Sequence, residues 1–247
     1  MKTRQIAILL YTAAFLCFLT GSVHAAEPNW PPSISIATAS PGGTYHAYGA
    51  ALAKILSRVL GVIVAEQPTE GPSQNIQLIE SGWPQIGFVT LGVALEGWSG
   101  TGAWTSGREY RSMRALFPMY DSPFTFAVAK DSAIRSLADM AGKRMGVGPH
   151  GGTAGDYIPK FLAVLKLDAN LVYGSWDELA AQLQAGKIDI LAAVAGAPFP
   201  ALAGLDAKKL VRLVGLGKSD IVALRLAIPE LPPSTIPAGS YPSLMSD

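Results

Sequence analysis

Apolar positions along the chain switch repeatedly between two periods, and the switches mark alternating strands and helices. Ser33 to Ala39 reads as a first strand. Tyr48, Ala51, Leu52, Ile55, Leu56 and Val59 then recur at helical spacing, with Gly61 as the stop. Val62 to Gln67 predicts a second strand. Ile76 and Ile79 mark a helix ending near Gly82, Ile86 to Thr90 a third strand, and Val93 to Trp98 a short helix. Residues 99–107, rich in Gly and Ser, read as a surface loop. Ser112 to Phe117 and Phe124 to Lys130 read as strands on either side of a connection whose two prolines, Pro118 and Pro123, keep it extended. Beyond it the alternation restarts. Strands are expected at 144–147, 170–173, 188–194 and 210–215, and helices from Thr153, from Trp176 and over 220–226. Ser175 with Glu178 fits a capping box. Such alternation predicts an α/β fold with mainly parallel strands.

One repeat stands out within this pattern. "SISIATASPGGTYHAYGAAL" and "KRMGVGPHGGTAGDYIPKFL" both run strand, Gly-Gly-Thr, helix, with the glycines at Gly42-Gly43 and Gly151-Gly152. The amides at a helix start have no intrahelical partner, and the helix dipole adds partial positive charge there. Glycines let the backbone approach a ligand, and Thr44 or Thr153 adds a hydroxyl donor. Two such turns, one per lobe, could hold a small carboxylate between them. The alternative is that the glycines only permit tight strand-to-helix turns. Tyr45, off the helical stripe at the helix mouth, is the candidate for closing over a ligand, whereas Tyr48 fits the core stripe. Trp83, Trp98 and Trp104 read as packing or loop-covering residues.

Composition narrows the chemistry. Lys2 and Arg4 precede an apolar run from Ile6 to Leu19 and a small-residue site around Ala25 and Ala26, which reads as a secretory signal over 1–26. The run is shorter than the ~20 apolar residues that span a bilayer. The single cysteine, Cys17, lies inside it, so the exported chain would have no disulfide or thiol chemistry. Without Lys2 and Arg4 the 19 basic residues become 17 against 18 acidic ones, a net charge near −1. That balance gives no footprint for nucleic acid or an anionic membrane. Neither glycine turn has the spacing of a dinucleotide site or the Gly-Lys-Ser/Thr ending of a P-loop, although Glu66 lies at a tempting distance for a ribose contact. With only His46 and His150 left, no H-E-x-x-H and no Gly-x-Ser-x-Gly elbow beside a histidine, neither a metal nor a cofactor is expected, and no catalytic residue is assigned. His150 could donate a hydrogen bond to a ligand or be a solvated loop residue. Arg144 could approach the cleft.

Four stretches, "ATASPGGTYHAYGAALAKIL", "EGPSQNIQLIESGWPQIGFVT", "RALFPMYDSPFTFAVAKDSAIRSLADMAGKRMGVGPHGGTAGDY" and "GKIDILAAVAGAPFPAL", occur in consistent order. Together they resemble the TAXI family, the extracytoplasmic solute receptors of TRAP transporters. The resemblance implies a two-lobed, periplasmic-binding-protein-like α/β fold of type II style, its lobes joined by crossing strands. The first lobe would span 27–118, the second 119–228, and a Pro-rich crossing or tail 229–247. It implies a periplasmic receptor that closes on a small organic anion, a carboxylate or acidic amino acid, and delivers it to TRAP permease membrane subunits; a monomer is expected. By position, first-lobe contacts would be Gly43, Thr44 and Tyr45, with Ser73, Asn75 and Thr90. Second-lobe contacts would be His150, Gly151, Gly152 and Thr153, with Gly196, Ala197 and Pro198. Relatives continue with a stretch that returns to the first lobe. That lobe is therefore expected to lack its return here and to leave apolar surface and a sheet edge uncovered. A sensory receptor for a membrane kinase, or a periplasmic enzyme acting on a small acid through His150, are the competing readings.

Overall fold

In the computed structural model, which describes residues 29–244, the alternating elements build two sheets. The leader expected at 1–26 lies outside the described residues. The first lobe has strands β1 (Ser33–Ala37), β2 (Ile63–Gln67) and β3 (Ile86–Gly87), all parallel in the order β2-β1-β3. Helices α1 (Thr44–Leu60), α2 (Pro72–Glu80) and α3 (Leu91–Ser99) connect them. Its core is small: Ile36, Ala53, Val62, Val64 and Phe88. Helix α1 lies on the sheet through Gly49 and Ala53, with Leu52 and Leu56 of the expected stripe packed against the same core and the rest of that stripe turned away. A β-carbon on Gly49 would stand 2.3 Å from Thr38 Cγ2, so only a small residue allows this approach. The helix is thereby turned, leaving Ile55 and Val59 54% and 59% exposed and Tyr48 at the surface edge-on to Phe88.

The second lobe holds strands β4 (Phe124–Ala129), β5 (Arg144–Gly146), β6 (Asn170–Val172), β7 (Ile190–Val194) and β8 (Val211–Val214). Their order is β6-β5-β7-β4-β8. Helices α4 (Thr153–Leu165), α5 (Trp176–Gln184), α6 (Pro200–Ala207) and α7 (Lys218–Ala227) cover it. Strands β5, β6 and β7 are parallel, whereas β4 runs antiparallel to both β7 and β8. The run Ile190–Ala193 is fully buried, as a central strand covered on both faces requires. The capping box forms as expected: Ser175 Oγ accepts the Glu178 amide and Glu178 Oε2 accepts the Ser175 amide at 3.0 Å.

Two stretches differ from expectation. Residues 112–117 form no strand and leave Leu116 and Phe117 exposed. Glu80 takes the Ser112 amide at 2.9 Å where a ladder would begin, and β3 is only two residues long. Conversely, the prolines of "GAPFPAL" hide helix α6, in which Pro200 takes the first turn, where its missing N–H costs nothing. The connection 118–123 leaves the first lobe at Met119, which packs on that lobe's core, and enters the second at β4. The segment after α7 docks on the second lobe. Tyr241 is buried there, its hydroxyl accepting the Phe199 amide at 2.8 Å, and Asp206 accepts the Ser243 amide.

Candidate functional site

Both Gly-Gly-Thr turns lie at the carboxyl ends of parallel strands. One follows β1 into α1, the other β5 into α4. Their cap glycines share one conformation, φ −85° and ψ 153° at Gly43, φ −87° and ψ 151° at Gly152. Each cap amide donates back across the turn, Gly43 to Ser40 at 3.1 Å and Gly152 to Pro149 at 3.0 Å. The first intrahelical bonds are donated by Ala47 and Asp156. The amides of Thr44, Tyr45 and His46, and of Thr153, Ala154 and Gly155, therefore precede any intrahelical partner. No side chain caps either helix.

The two helix starts open into one cleft between the lobes, enclosing ≈ 400 Å³ including its mouth. Gly43, Thr44, Tyr45, Gly71 and Pro72 line it from the first lobe. Gly152, Thr153, Trp176, Val194 and Ala195 line it from the second, and Tyr120 and Ser122 of the connection complete the wall. Glu70 is the single charged lining residue; neither Lys nor Arg is among them. Arg144 is held elsewhere. It starts β5, at the end of the sheet opposite the cleft, and pairs with Asp189 at 2.7 Å. Positive potential in the cleft comes from backbone amides and helix dipoles.

The lobes are hydrogen-bonded to each other across this cleft. Thr44 Oγ1 donates to the Gly196 carbonyl at 3.1 Å, and the hydroxyls of Thr153 and Thr90 lie 2.9 Å apart. Ser73 donates both its amide and its hydroxyl to the Gly151 carbonyl, each at 3.2 Å. The Ala201 amide reaches the Gly42 carbonyl at 3.1 Å. Each bond is worth about 1 kcal/mol net, and Ile76 of α2 and Val93 of α3 join the buried apolar cluster of the second lobe beside them. At Gly71 (φ 133°, ψ −156°) the chain adopts a conformation open only to glycine. There a β-carbon would stand 2.9 Å from the Gly151 carbonyl oxygen.

Two phenols sit in the wall. Burial pushes the Tyr45 phenol far up, a hydrogen bond with Ser122 offsetting a little, and the ring packs on Phe88 at 5.4 Å. Burial, then the neighbouring Tyr45 and Tyr48, likewise raise Tyr120. The Tyr120 hydroxyl is buried with no hydrogen-bond partner among the described residues. An unmet donor in a cleft wall is a place for a ligand acceptor.

Of the residues singled out from the sequence, Gly43, Thr44, Tyr45, Gly152 and Thr153 line the cleft. Ser73, Thr90, Gly151 and Gly196 form its seam. Asn75 lies elsewhere, completely buried, its amide nitrogen within 3.3 Å of the carbonyls of Ala37, Thr38 and Phe88. It ties β1 to β3. His150 is exposed and stacked on Tyr173 at 3.8 Å, outside the lining. Ala197 and Pro198 also lie off the lining, which their neighbours Val194 and Ala195 provide. Glu70, Tyr120, Ser122 and Trp176 were not read from the sequence as site residues. Their only signal was proximity in sequence to glycine or proline turns.

Among the described residues no group of three or more His, Cys, Asp or Glu is placed to hold a metal ion, and no helix is long and apolar enough to cross a membrane. Residues 36–247 match the model of the NMT1-like family. The chain belongs to the NMT1-like family. Solved structures similar to this NMT1-like chain share its fold. The alkanesulfonate-binding protein SsuA from Xanthomonas axonopodis pv. citri bound to MOPS is 20% identical, with a TM-score of 0.52 over 78% of this chain and 63% of that one. An ancestral arginine-binding protein bound to glutamine is 18% identical, with a TM-score of 0.52 over 81% of this chain and 92% of that one. A binding-protein component of an ABC phosphonate transporter from Pseudomonas aeruginosa is 15% identical, with a TM-score of 0.52 over 78% and 72%. The chain thus spans less than two thirds of the alkanesulfonate-binding protein's length.

Proposed function

We propose that this NMT1-like chain is a periplasmic solute receptor that captures a small organic anion, a carboxylate or acidic amino acid, between its lobes. The observation that carries this reading is the pair of matched helix starts facing one cleft, with no lysine or arginine in its lining. One carboxylate between two helix N-termini is stabilised without any basic side chain. Gly43, Thr44, Tyr45, Gly152 and Thr153 supply the anion contacts, while Tyr120 offers a further donor. Glu70 favours the amino-acid members of the class, because an ammonium group would meet its carboxylate. The solved proteins that share the fold, described as alkanesulfonate, amino-acid and phosphonate binders, support a receptor.

The chain is exported through residues 1–26 and works as a monomer, with lobes at 27–118 and 119–228 and 229–247 as a tail. Its partner is the membrane part of a TRAP-type permease, as the TAXI resemblance implies. Reconstituted uptake driven by an ion gradient, and not by ATP, would identify that partner. The enzyme reading loses its candidate base, since His150 stacks on Tyr173 outside the cleft lining.

The receptor reading is tested by calorimetric titration against short mono- and dicarboxylates, amino acids, amines and sugars. Saturable binding confined to the acids is expected. The double variant Thr44→Val, Thr153→Val should weaken it about tenfold or more by removing two hydroxyls at the helix mouths. Binding of amines or sugars in place of acids would refute the reading.

A further inference from the structure

The lobes also meet through a charged cluster that takes no part in lining the cleft. Glu96 on α3 and Asp156 on α4 are buried to 12% and 13% side-chain exposure, and both reach Lys160. Lys160 Nζ lies 2.5 Å from Glu96 Oε1 and 2.9 Å from Asp156 Oδ2. It also sits 4.3 Å over the Tyr157 ring. Every element around the cluster adds a group. Tyr157 donates its hydroxyl to Glu230, in the segment after α7, at 3.2 Å. Trp104, beyond α3, donates to Glu96 at 3.3 Å, and Tyr173, beyond β6, faces Asp156.

Two carboxyls, Glu96 and Asp156, face one ammonium group, Lys160, so the trio is one cation short of neutral when both are ionised. Two carboxyls sharing a partly buried site do not both ionise freely. Burial, then the adjoining Glu96 carboxyl, push Asp156 up to about 6. Burial also opposes ionisation of Glu96, but its bonds to Lys160 and Asp156 outweigh this and hold it below its ordinary value. Below about pH 6 Asp156 therefore takes up a proton while Glu96 stays ionised, with Lys160 between them.

We propose that Glu96, Asp156 and Lys160 form a proton-linked latch between the lobes, which takes up a proton as the lobes close. This rests on the reading that the lobes open and close around a ligand. Opening removes Glu96 and its burial, so Asp156 returns towards the ordinary carboxyl value near 3.9. The closed state then binds more protons at any pH between about 4 and about 6. Closure is favoured at the acid end of that window and loses this contribution as pH rises through about 6.

The test is calorimetric titration of the full chain with the tightest acid of the carboxylate panel, in two buffers of different ionisation heat, at about pH 5 and about pH 7.5. The wild type should take up a fraction of a proton at the lower pH and bind at most about tenfold more weakly at the higher one. Asp156→Asn, which keeps a donor towards Glu96, should remove both effects, and Glu96→Gln, which leaves the burial of Asp156 but takes away the second carboxyl, should reduce both. Binding with no proton uptake and a flat pH profile would overturn the latch and leave the receptor standing. If no acid binds, the receptor reading fails, and small-angle scattering of the unliganded chain decides the latch alone. Expansion on raising the pH in the wild type but not in Asp156→Asn supports it; equal dimensions at both pH values overturn it.

Discussion

Gly71→Ala separates folding from closure at a single atom. Gly71 sits at φ 133° and ψ −156°, a region where a residue with a side chain is strained by about 1–3 kcal/mol. That strain belongs to the turn before α2 and acts whether the lobes are open or closed. The added methyl has a second effect. It would stand 2.9 Å from the Gly151 carbonyl oxygen and 3.0 Å from Gly152 Cα, where ordinary contact is about 3.5–4.0 Å. Those atoms belong to the other lobe, and the same Gly151 carbonyl accepts both bonds from Ser73. Overpacking of this size costs about 1–3 kcal/mol, and it is felt only on closure. The variant should therefore melt cooperatively at a lower temperature, by the strain, and bind its acid about five- to 150-fold more weakly, by the clash. Denaturant unfolding measures the first and calorimetry the second. Wild-type affinity in Gly71→Ala would refute the argument that these lobes must touch here to hold a ligand.

Three other outcomes follow from the same geometry. Asn75→Ala should cost about 3 kcal/mol of stability in a denaturant titration by leaving the carbonyls of Ala37, Thr38 and Phe88 without that donor, and a change under 1 kcal/mol would show that Asn75 is not the tie between β1 and β3. Glu70→Gln should weaken amino-acid binding about tenfold while leaving plain carboxylates equal or tighter; equal loss for both would remove Glu70 from ligand selection. Ser175→Ala should lower stability by about 1 kcal/mol through the lost cap on α5 without altering affinity, a result checked by melting and titrating the same preparation.

What was legible in the sequence was local. Ser175 and Glu178 are three residues apart, and their reciprocal bonds follow from that spacing. The Gly-Gly-Thr turns were visible for the same reason, since the stretch carries both the glycine flexibility and the helix that follows. Contacts set by other parts of the chain were not legible. The α1 stripe at Ile55 and Val59 has helical periodicity, yet the close approach that Gly49 allows to Thr38 decides which face meets the sheet. The run at 112–117 has strand composition, but a strand also needs a partner, and Glu80 occupies the place where one would start. Periodicity gives no direction, so the antiparallel insertion of β4 between β7 and β8 emerged only from the fold. Tyr120 and Trp176 share the cleft wall from far apart in sequence. Asn75 shows the reverse case. It was expected at the ligand, and its side chain serves the backbone of the first lobe.

The most direct test of the central claim is a crystal structure of the protein with the acid that binds tightest in the carboxylate panel. A carboxylate is expected between the two helix starts, within hydrogen-bond distance of the amides that follow Gly43 and Gly152 and of the Thr44 and Thr153 hydroxyls. A ligand seated away from both turns, with the Thr44–Gly196 and Thr90–Thr153 bonds undisturbed, would contradict it.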